Sequence, residues 1–187
     1  MKAKRKARQR APLEWRESRT VRNQDELRAG DQIQATLRWE GWGSTYATGV
    51  ARAGRWTFGR PRLLSRDVSI WIAGREEDAP FAIFSPHMFG DGPLTCADGR
   101  SYYWEPTDFW RSQWRFTGPG GQPLLYASDD SGFLERRTGI WLARAPTDAP
   151  ATNDEACALL VLAAHYLMAL HEQDTAAAAA ATTAAIV

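Results

Sequence analysis

Between Leu13 and Ala143, hydrophobic and polar positions alternate in short runs that turn signals interrupt every eight to twelve residues. Short runs rich in β-branched and aromatic residues predict strands. The alternation is clearest over residues 33–39, where apolar side chains fall on one face and polar ones on the other: Ile33, Ala35, Leu37 and Trp39 against Gln34, Thr36 and Arg38. This pattern predicts a strand with one dry face.

Other runs of the same kind continue through the stretch, and none of it has the periodicity of a helix. They predict strands around Tyr46–Ala51, Arg55–Phe58, Val68–Ile72, Phe81–Phe84, Leu94–Cys96, Ser101–Trp104, Trp114–Phe116, Leu124–Tyr126, Phe133–Glu135 and Ile140–Leu142. Turn residues such as Asp98-Gly99 suit tight hairpins between them. We therefore expect about a dozen strands in an antiparallel sheet that closes on itself, because closure removes exposed edges.

The periodicity changes after the Pro-rich stretch 145–150. Thr152 and Glu155 have the spacing of a capping box, which predicts that a helix begins there. From Ala156 to Leu170 every residue but His165 is apolar. Because a helix that is apolar on every side must be buried on every side, this helix, expected over about residues 153–172, lies either in a protein core or in lipid.

The length of the apolar segment favours the protein core. Its fifteen residues would cover roughly 22 Å, whereas a hydrocarbon core measures ~30 Å. A longer span would draw Glu172 and Asp174 into the bilayer at a high cost. We therefore predict a mainly β fold over residues 12–174: a closed antiparallel barrel of about 12 strands with a hydrophobic C-terminal helix threaded through its centre.

The two ends of the chain differ from this domain. Residues 1–11 are polar and without periodicity, and we expect a disordered basic arm. Residues 175–187 are Ala-rich and of low complexity, and we expect a disordered tail, at most a frayed continuation of the helix. The chain also begins with charge rather than an apolar signal segment, which predicts a cytoplasmic protein that can be peripheral at the membrane.

Charge is balanced overall but concentrated in the arm. The chain has 23 Lys and Arg residues against 22 Asp and Glu, so no overall field would attract it to nucleic acid. Removing the arm's cations leaves 17 basic groups against 22 acidic ones. The arm itself supplies the candidates for contact with an anionic surface: Lys2, Lys4, Arg5, Lys6, Arg8 and Arg10. Nucleic-acid binding without sequence preference, or simple solvation, are the alternatives.

Few residues suggest catalytic chemistry. His165 is expected to be a core histidine with one hydrogen-bond partner. His87 lies near Asp91 in the loop 85–92, where a general base is conceivable, but no Ser or Cys nucleophile accompanies it at a recognisable spacing. Cys96 and Cys157 have no metal-ligand or redox spacing and are expected to be buried free thiols, one in a strand and one in the helix. We predict no enzyme, no metal and no cofactor.

Aromatic residues give two further predictions. In the acidic-aromatic run Glu105–Arg111, Phe109 and Trp110 are expected to fold back as a lid over the barrel end, with an exposed partner-binding rim as the alternative. The nine tryptophans of the chain are expected to fill the space between the barrel and its helix, with a ligand cavity as the alternative.

Taken in order, several segments resemble the tubby C-terminal-like superfamily, and most closely its LURP-one-related and phospholipid-scramblase-like small bacterial members. The similarity covers residues 12–174 and rests on the order of four segments in this sequence: the hairpin Asp98–Trp104, the aromatic strand Gln113–Phe116, the strand Pro123–Tyr126 and the terminal helix Ala158–Leu167. The resemblance implies a twelve-stranded barrel around a C-terminal helix. It also implies membrane-related binding: phosphoinositides on the outer barrel in tubby proteins, and membranes with calcium in scramblases. The binding residues of those families have no match in this sequence.

Together these observations predict a monomeric, non-enzymatic binding or scaffold module. Its expected partner is an anionic phospholipid surface or another protein, and neither sequence-specific nucleic-acid binding nor a transmembrane span is expected. The first alternative is a lipocalin-like carrier with an apolar ligand in the barrel and the helix outside it. The second is a tail-anchored membrane protein.

Overall fold

The computed structural model describes residues 13–41, 43–61, 65–129, 137–143 and 154–184. Twelve strands and one helix follow each other along the chain: β1 Leu13–Glu17, β2 Gln24–Ala29, β3 Gln32–Trp39, β4 Ala47–Ala51, β5 Gly54–Gly59, β6 Val68–Ile72, β7 Ala82–Phe84, β8 Gly92–Cys96, β9 Ser101–Pro106, β10 Gln113–Thr117, β11 Pro123–Asp129, β12 Arg137–Leu142 and α1 Glu155–Ala184.

Each strand pairs antiparallel with its neighbours in sequence, and β1 pairs with β12 to close the barrel. At this closing seam Leu13 lies opposite Ile140. The predicted closed antiparallel barrel of about a dozen strands is confirmed. The strand expected at Phe133–Glu135 lies outside the described residues, and the strand expected at Ile140–Leu142 is the end of β12, which begins at Arg137.

The alternation predicted for residues 33–39 is confirmed at Ala35 and Leu37, which are buried, but it fails at Ile33, which is 50% exposed. The register explains the difference. Leu27 lies opposite Ala35 while the next residue, Arg28, lies opposite Ile33, so one residue of β3 is left unpaired in a bulge. Because a bulge shifts the two-residue repeat by one position, Ile33 is on the outer face.

Helix α1 begins one residue after Asp154, whose side-chain Oδ1 accepts a hydrogen bond of 2.8 Å from the N–H of Cys157. The backbone carbonyl of Asp154 accepts the first helical bond, from Ala158. Asp154 is therefore the N-cap, which corrects the expected start. Thr152, the hydroxyl partner of the predicted capping box, lies outside the described residues.

The end of the helix is also different from the prediction. We expected it near residue 172, followed by a disordered tail, but α1 continues to Ala184. Residues 175–184 therefore take the alternative of a helical continuation that the sequence left open, because alanine has the highest helix propensity of any residue and a helix anchored in the barrel needs no new nucleation.

The barrel encloses the first half of α1. All residues from Ala158 to Leu170 are buried, in one core with inward-facing side chains of the strands. Gly49 in β4 lets the helix approach closely, since a Cβ there would lie 2.9 Å from Cε2 of Phe58 and 3.0 Å from Cδ2 of Leu162. The predicted central apolar helix is confirmed.

Five of the nine tryptophans fill the space between the strands and the helix, as expected: Trp15, Trp39, Trp56, Trp104 and Trp114. The expectation fails for Trp110 and Trp141, which are 84% and 46% exposed. Two pairs show the stacking that this packing produces. Trp39 lies 5.3 Å from the ring of Tyr166, and Trp104 lies 5.3 Å from Trp114. The lumen is therefore occupied by aromatic and aliphatic side chains rather than left as a ligand cavity.

Because the strands are antiparallel, successive connections alternate between the two ends of the barrel. We call the end where α1 leaves the barrel the exit end. There Arg60, just after β5, forms two hydrogen bonds of 2.9 and 2.7 Å with the carboxylate of Asp174, and the ring of His171 lies 5.5 Å from that of Trp114. Leu13, where the arm joins the barrel, lies at the opposite end, since β1 runs toward the exit end.

By length and composition alone, the stretch Glu155–Ala181 of α1 could cross a membrane. The continuous apolar segment has fifteen residues, but helix α1 has 30, so length alone does not exclude a membrane span. Burial favours a core helix more strongly than length does, because 72% of the most apolar 18-residue stretch of this helix is buried inside the protein. Core helices of globular proteins satisfy the same length and composition criteria.

Candidate functional site

A concave groove on the outer wall of the barrel is the first candidate. Its volume is about 740 Å³, and its walls come from β2 to β5 and from the turns before β2 and after β6. Thr36, Val50 and Arg55 form one outer row across three strands. Arg38, Thr48 and Thr57 form the next row. The groove therefore has a rigid floor of strand residues.

Three arginines line this groove: Arg22, Arg38 and Arg55. From the strand spacing, the Cα atoms of Arg38 and Arg55 are about 12 Å apart, a distance that two arginine side chains can close around one small ligand. All three are exposed, and across the described ranges none of them has a side-chain hydrogen bond or an ion pair. Their N–H donors are thus available to a planar or tetrahedral anion.

Two carboxylates also line the groove, Glu40 and Glu76. Glu76 accepts hydrogen bonds from the hydroxyl of Thr57 at 2.6 Å and from the N–H of Gly74 at 2.9 Å. These bonds, the Thr57 bond first, lower the pKa of Glu76, and they direct its charge into the turn after β6. The groove retains an excess of positive charge.

Two loops at the exit end form the second candidate. They connect β7 to β8 (residues 85–91) and β9 to β10 (residues 107–112). We expected Phe109 and Trp110 to form a lid over the barrel, and this is wrong: their side chains are 89% and 84% exposed. The lumen end is closed by the helix and by Trp114, whose indole Nε1 donates to the carbonyl of Arg111, so no space remains for a lid.

His87 and Asp91 are brought together in the 85–91 loop, as their spacing suggested. Nδ1 of His87 lies 3.1 Å from Oδ2 of Asp91, and the hydroxyl of Tyr103 donates to the same oxygen at 2.9 Å. Partial burial raises the pKa of Asp91, but the bonds to His87 and Tyr103 outweigh it and the net pKa is lowered. The three groups close the loop on strand β9, which is a structural role.

His165 lies in the lumen with two polar partners rather than the single one expected. Its Nε2 is 3.0 Å from Oδ2 of Asp25, and its Nδ1 is 3.3 Å from the hydroxyl of Thr138. The ring of Trp15 stacks on it at 4.4 Å. All four side chains are buried, so this arrangement of histidine, carboxylate and hydroxyl has no access to a substrate and holds the core together.

The remaining predicted groups are distributed as follows. The six arm cations, Lys2 to Arg10, lie outside the described residues. Cys96 is in a strand and Cys157 in the helix, both are free, and Cys157 is half-buried rather than buried. Burial, followed by the charge of Asp154, raises the pKa of Cys157 to about 11. In the part of the chain described here, no group of three His, Cys, Asp or Glu side chains is placed to hold a metal ion.

Sequence reasoning missed the arginine groove. Arg38 was assigned to the polar face of its strand, but Arg22 and Arg55 carried no signal that would group them with it. They come from a turn and from a different strand, and only the register of β3, β4 and β5 brings them to one surface.

The fold defines a class: a closed, twelve-stranded antiparallel barrel whose lumen is filled by its own C-terminal helix. No family model, curated protein or solved structure matches this chain.

Proposed function

We propose that the protein is a non-enzymatic binding module whose outer-wall groove takes a phosphate-bearing ligand, with the headgroup of an anionic phospholipid as the favoured source. One observation carries the proposal: three guanidinium groups, those of Arg22, Arg38 and Arg55, line one concave surface and have no ion pair with any other described residue. Guanidinium binds phosphate through paired, charge-assisted hydrogen bonds. We also propose that the chain is a member of the tubby C-terminal-like superfamily.

The other two functions considered from the sequence have less support. A carrier would hold its ligand where Leu160, Val161 and Tyr166 now lie buried. A tail anchor would need α1 to leave the barrel, although 72% of the most apolar 18-residue stretch of the helix is buried inside the protein. Either change would expose the core of the barrel to water at a large cost in free energy.

Vesicle co-sedimentation tests the groove. We expect binding to phosphatidylcholine vesicles that contain phosphatidic acid, weakening with added salt because the contact is ionic. The double variant Arg38→Gln/Arg55→Gln should bind at least about tenfold more weakly, since each charge-assisted bond contributes about 1.5–3 kcal/mol. Calorimetry with soluble glycerol phosphate separates the two sources of the phosphate. A free phosphate ester as the natural ligand would bind as tightly as the vesicles do, whereas a lipid headgroup would bind more tightly in the vesicle.

The control is a double variant of equal charge. Arg52 and Arg75 are exposed but do not line the groove, so Arg52→Gln/Arg75→Gln should bind as the unmodified protein does. Deleting residues 1–11 tests the basic arm in the same assay. If both arginine pairs weaken binding equally, only net charge matters and the groove is excluded as a site.

A further inference from the structure

Four apolar side chains project into solvent from the two loops at the exit end. Met88 and Phe89, on the 85–91 loop, are 79% and 58% exposed, and Phe109 and Trp110, on the 107–112 loop, are 89% and 84% exposed. We call these four residues the tip cluster. Scattered exposed apolar residues are common, but a group of large ones on adjacent loops indicates an interaction surface.

Hydrogen bonds hold both loops in this outward conformation. On the 85–91 loop, Nη1 of Arg66 donates to the carbonyl of Met88 at 3.1 Å. On the 107–112 loop, the carboxylate of Asp108 accepts a bond of 2.6 Å from the hydroxyl of Ser112 and one of 2.9 Å from the N–H of Gln113. These contacts fix the backbone of both loops. The exposure of the tip cluster is therefore a property of the folded loops and not a result of local unfolding.

Arg111 joins the two loops. Its Nη1 donates to the carbonyl of Phe89 at 3.1 Å, and its guanidinium lies 4.7 Å from the centre of the Phe89 ring. Arg111 itself adopts a left-handed backbone conformation, with φ of 58°, which is costly for a residue other than glycine. The cluster is thus one rigid unit with two arginines, Arg66 and Arg111, at its base.

The exposed part of α1 emerges at the same end. His171 lies beside Trp114 under the loops, and beyond Asp174 the helix continues through Thr175–Ala184, which contains no charged residue. The ten residues cover about 15 Å. The exit end therefore combines aromatic tips, arginines at their base and a projecting helix without charge.

From this combination we propose that the exit end inserts into the interface of a phospholipid bilayer, with the tip cluster at the level of the headgroups and acyl ends. Trp and Phe are favoured in this layer, where an amphipathic ring meets both water and hydrocarbon. Arg66 and Arg111 use only some of their five N–H donors on loop carbonyls, and the rest can reach lipid phosphates at the base of the cluster.

This surface differs from the arginine groove in place and chemistry. The groove lies on the outer wall and binds a charged group, whereas the tip cluster would bury apolar rings in lipid. A single protein partner is the competing occupant of the tip cluster. The side chains favour lipid because they project as separate points beside an uncharged helix, while a protein partner would need a complementary surface for each of them.

The test compares two matched double variants on the full-length protein. Phe109→Ser/Trp110→Ser removes two tips, and Ile72→Ser/Trp141→Ser removes an aliphatic and an aromatic residue that are about half exposed on strands outside the exit-end loops. Binding to phosphatidylcholine vesicles containing phosphatidic acid should weaken at least about tenfold for the first variant and remain unchanged for the second. Both variants should remain folded at the assay temperature, which thermal unfolding checks, and this separates lost binding from lost folding. The second variant should unfold at a somewhat lower temperature, because Ile72 and Trp141 are half buried.

Fluorescence locates the contact directly. The spectrum of the unmodified protein minus that of Trp110→Phe isolates Trp110, and its emission should shift to shorter wavelength when vesicles are added. An unshifted Trp110, or full vesicle binding by Phe109→Ser/Trp110→Ser, overturns the proposal. Loss of a co-purifying protein in that variant, with vesicle binding intact, assigns the tip cluster to a protein partner instead.

The groove and the tip cluster can fail separately. At lipid concentrations that saturate binding, Arg38→Gln/Arg55→Gln should still show the Trp110 shift, and Phe109→Ser/Trp110→Ser should keep binding to soluble glycerol phosphate. In the unmodified protein, a missing Trp110 shift excludes the tip cluster as a lipid contact, whereas a lack of glycerol phosphate binding excludes the groove as a phosphate site.

Discussion

Nε2 of His165 lies 3.0 Å from Oδ2 of Asp25 inside the barrel, although the two residues are 140 positions apart in the chain. The same carboxylate oxygen accepts a bond of 3.2 Å from the indole N–H of Trp39. This contact joins the middle of the central helix to β2. Together with the contact between Nδ1 of His165 and the hydroxyl of Thr138, it fixes the height and rotation of α1 in a lumen that is lined mainly by non-directional apolar contacts.

Replacing Asp25 with alanine should destabilise the fold, because His165 and the indole of Trp39 would lose a buried partner. The expected loss in the free energy of unfolding is about 1–3 kcal/mol, measured by urea denaturation. Asp91→Ala, which breaks a similar His–Asp contact on the surface, should cost less than about 1 kcal/mol. Equal losses for the two variants would show that the buried His165–Asp25 contact stabilises the fold no more than the exposed His87–Asp91 contact does.

An aspartate in the lumen should prevent folding, while the same change on the exposed part of the helix should not. Leu160 is buried between helix and strands, so Leu160→Asp puts an unpaired charge in the core. Ala177→Asp changes an exposed position of α1, and we expect a shift within about 0.5 kcal/mol. Circular dichroism and thermal unfolding of both variants check this, and a folded Leu160→Asp protein would contradict a filled lumen.

Gly49→Val should overfill the space between β4 and the helix. The Cβ of the new side chain would lie 2.9 Å from Cε2 of Phe58 and 3.0 Å from Cδ2 of Leu162. Both side chains would have to shift, and overpacking of this kind costs about 1–3 kcal/mol. Val50→Thr, on the outer face of the same strand, is the control. In the double variant with Leu162→Ala, we expect a loss smaller than the sum of the two single losses.

The Arg60–Asp174 ion pair should make the exit end sensitive to acid. Its hydrogen bonds, and then the charge of Arg60 after a partial offset by burial, lower the pKa of Asp174 below its ordinary value of 3.8. The pair therefore stabilises the fold above that value, and its contribution is lost as the pH falls through the lowered pKa. Asp174 is 40% exposed, so the effect is below about 1 kcal/mol.

Unfolding measured between pH 6 and pH 2 (about two units either side of a carboxylate pKa) tests this pair. The difference between the unmodified protein and Asp174→Asn should shrink toward acid. Amide exchange of the residues after His171 should also become faster in the variant at neutral pH. A difference in stability between the two proteins that stays constant across this pH range would contradict the prediction.

Cys157 should react slowly with alkylating reagents at neutral pH. Burial raises the pKa of its thiol to about 11, and the thiolate is the reactive form. Mass spectrometry of the native protein after treatment with iodoacetamide should show little labelling at Cys157, and labelling at both cysteines after denaturation. Fast labelling in the native state would mean that the first turn of α1 opens readily.

Much of this fold could be predicted from the pattern of residues, because each feature depended on local sequence. The short alternating runs predicted the strands, and the segment Ala156–Leu170 predicted a helix buried on every side. A helix without a polar face leaves few architectures, and a surrounding barrel is the one that also removes sheet edges.

Other features depended on pairing across the chain and could not be seen locally. The bulge that moves Ile33 outward is fixed by the register with β2. Strand β2 itself, Gln24–Ala29, is mostly polar, and its inward Asp25 makes sense only with His165 from the far end of the sequence. The arginine groove has the same origin, since its members meet only through strand pairing.

The wrong predictions about the two ends of α1 and the loops have physical causes. For residues 175–184 low complexity predicts disorder or at most a frayed helix, whereas alanine continues an anchored helix readily. Phe109 and Trp110 were expected to be buried because large aromatic residues usually are. Their exposure became visible only with the loop contacts of Asp108 and Arg111, and it is this departure from the rule that identifies the exit end as an interaction surface.

The position of α1 also orders the events of biosynthesis. The strands leave the ribosome before the side chains that fill their lumen, Ala158 to Leu170. Until those side chains are synthesised, the inward tryptophans of the strands have no helix on which to pack. Closure of the barrel around its core therefore waits for α1, and during that interval the apolar strand faces are exposed and prone to aggregation.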